Sequence, residues 1–258
     1  MATRSMLKLF AFSTHAFDAP AEAEALIDAL MGGLFAATRF GRNEPVRRSL
    51  AGAGRAEAIA LLKGADGAKS GSVFLAGSKP AMTFTVDWRQ GQTCIWYAEF
   101  DAKLAEKPSD CANLSAALAA LFSRFPAQFA AVAPSADWDA RHWIVEKFAD
   151  GGESTTKVGL DLDGHFPGIF WWTLFGKEAC AFFGRKKLLS APVAQTDNLG
   201  ATGGVVLRAD VCPQRIATGA PSPAESALRE MLGQEYFFDI NEPQRKGCGV
   251  PGVTQART

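Results

Sequence analysis

The chain lacks an excess of charge of either sign. Among its 258 residues, lysine plus arginine and aspartate plus glutamate number 27 each, which gives a formal net charge of zero. A balanced chain has no overall electrostatic field that would draw it to nucleic acid or to an anionic membrane surface. The composition therefore predicts that neither nucleic acid nor a membrane is a partner.

Long apolar runs and cysteine motifs are missing too. No stretch approaches the roughly 18 apolar residues of a membrane-spanning helix. The N-terminal segment has neither the apolar centre nor the cleavage site of a secretory signal. The five cysteines are widely spaced and contain no C-x-x-C pair. We therefore expect no structural zinc site and no disulfide framework, and we predict a cytoplasmic protein with reduced thiols.

Motifs that specify a reaction or a cofactor are also absent. The glycines at 52–57 lack the third glycine of a dinucleotide loop and do not follow a buried strand. In 64–71 an alanine separates the second glycine from the lysine that a phosphate loop requires. A calcium loop starting at Asp161 would need glutamate at its twelfth position, where Trp172 stands. We predict no catalytic residue, no bound cofactor and no metal site.

The three histidines fall in no metal-binding or nucleophile motif. His15, His142 and His165 are therefore predicted to be surface or interface residues. An enzyme remains an alternative, namely a hydrolase that uses these histidines together with Asp161 and Asp163. A deep polar pocket that holds two of the five side chains would support that alternative.

Apolar residues recur with both strand and helix periods along the chain. Sequential hairpin-like strands with helices around them predict an α+β fold, with an antiparallel or mixed sheet and packed helices. We expect one domain over 1–258, with a subdomain boundary near 150–155 and a loose tail over 243–258. The predicted strands are 6–13, 71–77, 81–88, 93–100, 127–135, 157–162 and 203–211. The predicted helices start at Pro20, run over 56–63 and 222–232, and follow an N-cap at Asp110 over 111–125.

Aromatic residues are abundant, with 19 phenylalanines and six tryptophans. Seven aromatics and four glycines fall in one stretch, 164–192. Its glycines predict a strand, a turn and a helix, and its aromatics predict a strand that is buried on both faces. Adjacent side chains of a strand alternate, so Trp171 and Trp172 are expected to point to opposite faces of the sheet.

The segment "PGIFWWTLFGKEACAFFGRKKLLSAP" resembles a pattern of bacterial immunity proteins from polymorphic-toxin and type VI secretion systems. In those families a strand G-[IL]-[FY]-W-x-N-x-[FL]-G leads into a helix that ends in [FL]-G-x-x-[KR]-[LA]-L. Trp172 or Thr173 stands where family members often carry asparagine. The nearest groups are the immunity protein 52-like and TsiT-like proteins. The matching positions are Gly168, Trp171, Phe175, Gly176, Phe183, Gly184, Lys187, Leu188, Leu189 and Pro192.

The resemblance implies a non-enzymatic protein of the cytoplasm. Such a protein binds a cognate secreted toxin, for example a nuclease effector, and occludes its active site or its assembly. Acidic groups suit a toxin site that accepts nucleic acid, so we predict acidic and aromatic loop residues as the contact set. These residues are Asp137, Trp138, Asp139 and Glu153. A non-catalytic adaptor with an apolar protein-binding groove is the second alternative.

Overall fold

The structure is a computed structural model that describes residues 5–15, 17, 19–64, 68–89, 92–148, 150–162, 164–213 and 219–253. Within these residues the chain forms twelve strands and seven α-helices. The strands are β1 (Met6–Ser13), β2 (Arg39–Gly41), β3 (Arg48–Ser49), β4 (Ser70–Ser78), β5 (Ala81–Arg89), β6 (Cys94–Asp101), β7 (Ala127–Pro134), β8 (Trp143–Lys147), β9 (Glu153–Lys157), β10 (Trp172–Phe175), β11 (Gln195–Leu199) and β12 (Gly204–Arg208). The helices are α1 (Pro20–Met31), α2 (Ala53–Leu62), α3 (Pro108–Arg124), α4 (Ser135–His142), α5 (Lys177–Phe183), α6 (Arg185–Leu189) and α7 (Pro223–Leu232).

Ten strands form one antiparallel sheet in the order β11-β12-β10-β7-β1-β6-β5-β4-β2-β3. β8 and β9 form a separate antiparallel hairpin. Helices pack on the sheet, so the fold is α+β, as predicted, and its large sheet is antiparallel. The predicted hairpin between β5 and β6 is present.

Several helix boundaries follow from their end residues. α7 starts after Ser222, whose side chain accepts a hydrogen bond from the backbone N–H of Glu225, while the Glu225 side chain accepts one from the backbone N–H of Ser222. This reciprocal capping box fixes the start of the helix predicted over 222–232, which is confirmed. Asp110, in contrast, is not the N-cap of α3, because the helix already begins at Pro108, where the fixed φ of proline suits the first helical position. Asp110 lies in the first turn instead.

The first face of the sheet is covered along most of its width by α1, α2 and α3. Their apolar sides and the inward side chains of β1, β4, β5, β6, β7 and β10 form one buried cluster. Trp96 lies near its centre and contacts the rings of Phe84 and Phe122, with ring centroids 5.7 Å apart in both pairs. The alternation predicted for β5 is confirmed, because Met82, Phe84 and Val86 are buried.

The second face is covered over only half of its width. α4 to α7 and the segment after α7 pack on β1, β7, β10 and β12, and together they form a second buried cluster. Within the described residues, β6 contributes only the partly buried Ile95 and Tyr97 to that cluster. No fully buried member of the cluster comes from the described residues of β2, β4, β5 or β6. One half of the sheet is thus buried on both faces and the other half on one.

The aromatic stretch behaves as a core strand. All four residues of β10 are buried; Trp172 and Leu174 join the first cluster, while Phe175 joins the second. The prediction that Trp171 and Trp172 point to opposite faces of the sheet was wrong. Trp171 precedes the strand and lies in the same buried cluster as Trp172. Their indole N–H groups donate separately, to the carbonyl of Asp210 at 3.0 Å and to Ser115 Oγ at 3.1 Å.

Gly176 separates β10 from α5 for a steric reason. A Cβ at this position would lie 2.3 Å from the carbonyl oxygen of Ala127 on the neighbouring strand. Only glycine lets the chain turn so close to another backbone. The predicted strand–turn–helix order is therefore confirmed, with Gly184 separating α5 from α6.

Three segments are organised differently from the sequence-based expectation. Residues 158–162, predicted as the larger part of a strand, lie outside any strand, and the segment 150–155 belongs to the turn and second strand of the β8–β9 hairpin. In the stretch predicted as a loose tail, Val250 and Val253 are buried, and the Arg245 guanidinium donates to the carbonyl of Phe237 at 2.8 Å. Residues 254–258 of that stretch lie outside the described residues.

Candidate functional site

The uncovered half of the second sheet face presents a surface of mixed polarity, which we call the open face. Its central row runs across three strands, because Phe74 pairs with Thr85 and Thr85 with Tyr97. The side chains of the open face are partly or fully exposed. Its members are Ser72 and Phe74 of β4, Thr83, Thr85 and Asp87 of β5, and Ile95, Tyr97 and Glu99 of β6.

A polar network borders the open face where the covered half begins. Tyr97 Oη donates to Glu99 Oε1 at 2.9 Å, and Lys8 Nζ lies 3.9 Å from the same carboxylate. Lys8 also pairs with Asp139 Oδ1 at 2.6 Å. Burial raises the pKa of Tyr97 far above its ordinary value, and the charge of Glu99 raises it further, so the phenol stays protonated and acts as a donor.

The β8–β9 hairpin is attached beside this network. His142 and Val158 hydrogen-bond across its base, where the Val158 amide donates to the His142 carbonyl and His142 Nδ1 donates to the Val158 carbonyl, both at 2.9 Å. The Lys157 ammonium lies 5.3 Å from the ring centroid of Tyr97 and 5.3 Å from that of Trp143. These cation–π contacts join the hairpin base to the edge of the open face.

The outer part of the hairpin is exposed on both of its faces. Val145 retains 53% of its full exposure and Phe148 retains 52%, which is high for large apolar side chains. Lys147 and Glu153 pair across the hairpin with 3.4 Å between Nζ and Oε1. We call Val145, Lys147, Phe148 and Glu153 the hairpin tip. It offers two apolar groups and one ion pair to solvent.

Two cavities lie where β4 begins and β5 ends. One of about 380 Å³ is lined by Ser72, Asp87 and Ile95 of the open face. The other, of about 460 Å³, is lined by polar residues such as Arg42 and Glu57 and by apolar residues such as Leu61. Both include the side chain of Trp88. The first cavity extends the open face into a shallow polar recess.

The predicted contact residues separate into two groups. Asp137 and Trp138 were expected in a loop, but they lie on α4 and are buried, with 4% and 1% exposure. Neither side chain is presented to a partner. Asp139, on the same helix, is half-exposed beside the open face, and Glu153 is exposed in the hairpin tip. The structure therefore brings two of the four residues near one surface.

Asp137 is buried because it belongs to an ion cluster centred on Arg141. Arg141 Nε donates to Asp137 Oδ1 at 2.8 Å, and Arg141 Nη2 donates to Glu225 Oε2 at 2.7 Å. The guanidinium also donates to the carbonyl of Ile169 at 2.9 Å and lies 4.8 Å from the centroid of the Phe170 ring. Burial raises the pKa of both carboxyls, while the charge of Arg141 opposes the rise. The cluster ties α4 to α7.

The histidines occupy three different settings. His15 pairs with Glu22, whose Oε2 lies 3.2 Å from the imidazole Nε2. His142 was predicted at the surface, but it is fully buried, and burial lowers its pKa to about 4. His165 is half-buried, and its ring contacts that of Phe238, as does the ring of His142. Helix α4 turns its His142 side inward, which is why the surface assignment fails.

The hydrolase alternative required a polar pocket around two of these residues. His142 and His165 are indeed near each other, and Asp161 acts electrostatically on His165. The ring of His142, however, packs against Trp138, Phe170 and Phe238, with centroids 4.6 to 5.9 Å apart. Aromatic rings thus surround this imidazole where the hypothesis placed polar groups. Asp163 lies outside the described residues.

Two further properties concern only the described part of the chain. In that part, the His, Cys, Asp and Glu side chains form no group of three or more that could hold a metal ion. No described helix combines the length and apolar character needed to cross a membrane.

Sequence reasoning missed the hairpin tip. None of the strands predicted from the sequence covers the run "WIVEKF", although Ile144-Val145 and Thr155-Thr156 are β-branched pairs on either side of Gly151-Gly152. Two β-branched runs separated by a short glycine-containing segment are typical of a β-hairpin. That signal was available and would have placed Phe148 in the connecting turn.

Comparison with known proteins gives one informative likeness. No family model matches the sequence, and no curated protein is detectably similar to it. Among solved structures, the chain is similar to the Pseudomonas aeruginosa T6SS protein PA0821, with a TM-score of 0.55 and 13% sequence identity. The likeness covers 98% of this chain and 78% of that chain. At this identity it shows a shared fold.

Proposed function

We propose that this protein is an immunity protein that binds a cognate secreted bacterial toxin and neutralises it. Two observations support a role in type VI secretion. The fold is shared with a protein whose name assigns it to the T6SS. Residues 167–192, which form β10, α5 and α6, carry the pattern that resembles immunity proteins. The second observation comes from side chains and the first from backbone geometry, so they support the proposal in different ways.

The observation that carries the binding role is the hairpin tip beside the open face. Phe148 and Val145 are large apolar groups held outward on a strand pair, and aromatic residues are frequent anchors of protein interfaces. The open face adds a platform of partly exposed hydroxyl, carboxyl and aromatic groups. A tight inhibitor buries about 1,600 Å² in total, which a tip and an adjoining sheet face together can supply.

We expect the charged groups on this surface to determine the choice of partner more than the binding affinity. Asp87, Glu99 and Asp139 place carboxylates across the open face, and Glu153 places one on the hairpin tip. Lys8 and Lys147 partly neutralise them. Such rim charges mainly set the association rate and the choice of partner. A nuclease effector, whose substrate channel is basic, would meet complementary charge here.

The test is co-expression with the candidate effector encoded beside this protein, in a host that the effector kills. The wild-type protein should restore growth and co-purify with the effector. The double variant Val145→Ser/Phe148→Ser should lose both properties, because the apolar anchors are removed, while its unfolding midpoint stays close to that of the wild type. Size-exclusion chromatography of the mixture reports the complex.

A matched control comes from the same chain. Phe182 and Val211 are exposed to 41% and 52% and lie away from the hairpin. Phe182→Ser/Val211→Ser should bind and protect like the wild type. The proposal fails if the effector neither binds nor is neutralised. Binding without neutralisation would favour the adaptor alternative, and a hairpin variant that protects fully would remove the tip from the interface.

A further inference from the structure

We propose that the outer edge of Ser70–Val73, which we call the free edge of β4, binds an extended peptide segment of a partner protein. The peptide adds to the sheet through backbone hydrogen bonds and fills the cavity of about 460 Å³ beside this edge. The inference goes beyond the proposed function, because no residue of the hairpin tip takes part. The ligand class is a linear peptide that is recognised mainly through its backbone.

β4 is longer than the strand on its outer side. Its nine residues pair with β5 over Ser70–Ser78, whereas β2 pairs with it only over Phe74–Ala76. Among the described residues, no other strand lies next to Ser70–Val73 on the outer side. The backbone N–H and C=O groups that face outward along these four residues therefore lack a strand partner. Such groups form a template to which an extended chain can be added.

The free edge lacks the features that usually prevent strand addition. Exposed edge strands are typically protected by charged residues, proline or bulges. The four residues Ser70–Val73 read Ser-Gly-Ser-Val, so they include neither a charge nor a proline. Their pairing with β5 also runs without a register shift. The edge is therefore regular, and its small side chains leave room for a second backbone.

The cavity lies directly beside this edge. Ser70, Gly71 and Ser72 of β4 line it, and α2 contributes Ala60 and Leu61 to the lining. Its volume of about 460 Å³ falls within the range of ligand-binding clefts, which is roughly 300–1,000 Å³. Four residues of strand span roughly 13 Å. The edge and the cavity together thus suit a short extended segment.

Trp88 offers an apolar contact to a side chain of the peptide. Its indole lies against Gly71, its partner in the sheet, because a Cβ at Gly71 would lie 3.0 Å from Trp88 Cζ2. Trp88 and Leu61 are half-buried; both pack on the first buried cluster and also line the cavity. Alternate side chains of an added strand point to the same face. We therefore expect a large apolar residue of the peptide to contact Trp88 and Leu61 while its two neighbours point away.

The charged groups that line the cavity are of both signs. Arg42 and Glu57 are among the lining residues, and the Glu57 carboxylate pairs with the guanidinium of Arg48. Charges of both signs give no strong preference for an acidic or a basic ligand. This balance fits a site that recognises backbone groups and one apolar side chain.

The experiment selects peptides from a phage-displayed library of random linear peptides on the purified full chain. A selected peptide is synthesised with a fluorophore, and its Kd is measured by fluorescence anisotropy. We expect the selected peptides to share a large apolar residue. Amide hydrogen exchange over Ser70–Val73 should become slower in the complex, because the added strand protects the outward-facing amides.

Backbone methylation of the peptide tests the pairing itself. Each peptide nitrogen is methylated in turn, which removes one N–H donor and keeps the side chains. In an antiparallel strand pair, hydrogen-bonded and non-hydrogen-bonded positions alternate. Binding should therefore become about tenfold weaker at every second position and change little at the positions between them.

Variants of α2 test the cavity. Ala60→Arg places a long side chain in it and keeps a residue that favours helix, so peptide binding should become at least about tenfold weaker while the unfolding midpoint stays close to that of the wild type. Ala56→Arg is the matched control, because Ala56 is exposed on the same helix and its side chain leans toward the helix N-terminus, away from Ala60. The hairpin variant Val145→Ser/Phe148→Ser should also bind the peptide like the wild type.

Three results would overturn the proposal. The first is a selection that yields no peptide, or only peptides that bind Ala60→Arg as tightly as the wild type. The second is a methylation series without alternation, which would show that the backbone does not pair with the edge. The third is a wild-type dimer that Ala60→Arg converts to a monomer, since the edge would then bind a second copy of the chain. None of these measurements uses the effector, so this proposal and the proposed function fail independently.

Discussion

The ten-stranded sheet has two halves that differ in how they are covered. In the half with β7, β10 and β12, nearly every residue is buried, since helices pack on both faces. In the half with β5 and β6, buried and partly exposed residues alternate, because one face is open. The sequences match this difference, with continuous apolar runs such as "GVVL" in one half and alternation in "AMTFTV" in the other.

This difference separates the residues that stabilise the fold from those of the proposed contact surface. The covered half contains most of the aromatic contacts of the second cluster, among them the rings of Phe166, Phe175 and Phe183. Substitutions there disturb packing on both faces of the sheet. In the open half, one face of β5 and β6 is not packed against helices, so substitutions of its side chains should disturb the fold less. The resemblance to immunity proteins falls in the covered half and the proposed contact surface in the open half.

The largest expected effect concerns the ion cluster of the covered half. Arg141→Ala leaves the carboxylates of Asp137 and Glu225 buried without their cation. Removing one partner of a buried ion pair typically lowers the free energy of unfolding by about 3–5 kcal/mol. Urea unfolding of the variant and the wild type measures the difference.

The matched control is Arg55→Ala. Arg55 binds Asp28 through two hydrogen bonds of 2.9 Å, but both side chains are substantially exposed. A surface pair contributes at most about 1 kcal/mol. If the two variants lose equal stability, the cluster does not hold α4 to α7 and the contrast between buried and surface pairs does not apply.

The second prediction concerns the pH dependence of the covered half. The pKa of His142 falls from 6.5 to about 4 on folding, mainly because of burial. Below pH 6.5 the unfolded chain binds a proton at this site that the folded protein does not bind, so stability is present above pH 6.5 and is lost as the pH falls toward 4. The loss amounts to roughly 3 kcal/mol, since one pKa unit corresponds to about 1.4 kcal/mol.

Comparison with His142→Gln isolates this contribution. The raised pKa values of Asp137 and Glu225 act in the opposite direction, because these carboxyls favour the folded state more as the pH falls. They are present in both proteins and cancel in the difference. Urea unfolding above pH 6.5 and near pH 4 should show a steeper loss for the wild type. Parallel pH profiles would contradict the assignment to His142.

Much of the fold could be predicted because its signals are local. β1, β5 and α7 have clear periodicity or capping residues, and the glycines of 164–192 mark real turns. The short helix α4 has no such signal. Burial of its Asp137 depends on Arg141 and, through it, on Glu225, which lies 84 positions from Arg141. No local pattern reports a partner at that distance.

The candidate site was predictable only in part for the same reason. The exposed face of β5 follows from its alternation. Glu153 was expected in a loop, but it is the first residue of β9. The burial of Trp138, in contrast, results from contacts with Phe10 and Phe170 on other segments. Likewise, the hairpin lies beside Tyr97 because Lys157 contacts that ring, a contact between segments 60 positions apart by residue number.

The smallest expected effect is at the hairpin base in the open half. Lys157→Met removes the ammonium from the rings of Tyr97 and Trp143 but keeps the length of an unbranched side chain. An exposed cation–π contact contributes about 0.5–1 kcal/mol, so the global unfolding free energy should change little. Amide hydrogen exchange should nevertheless become faster across Val145–Lys157 and stay unchanged in β7, because the contact holds the hairpin and not the sheet. Lys147→Met is the control, since the ion pair that Lys147 makes within the described residues is with Glu153 across the tip, and it should leave exchange at the hairpin base as it is. Equal acceleration in both variants would mean that cross-strand charge holds the hairpin in place, and the open half would then lack a fixed recognition element.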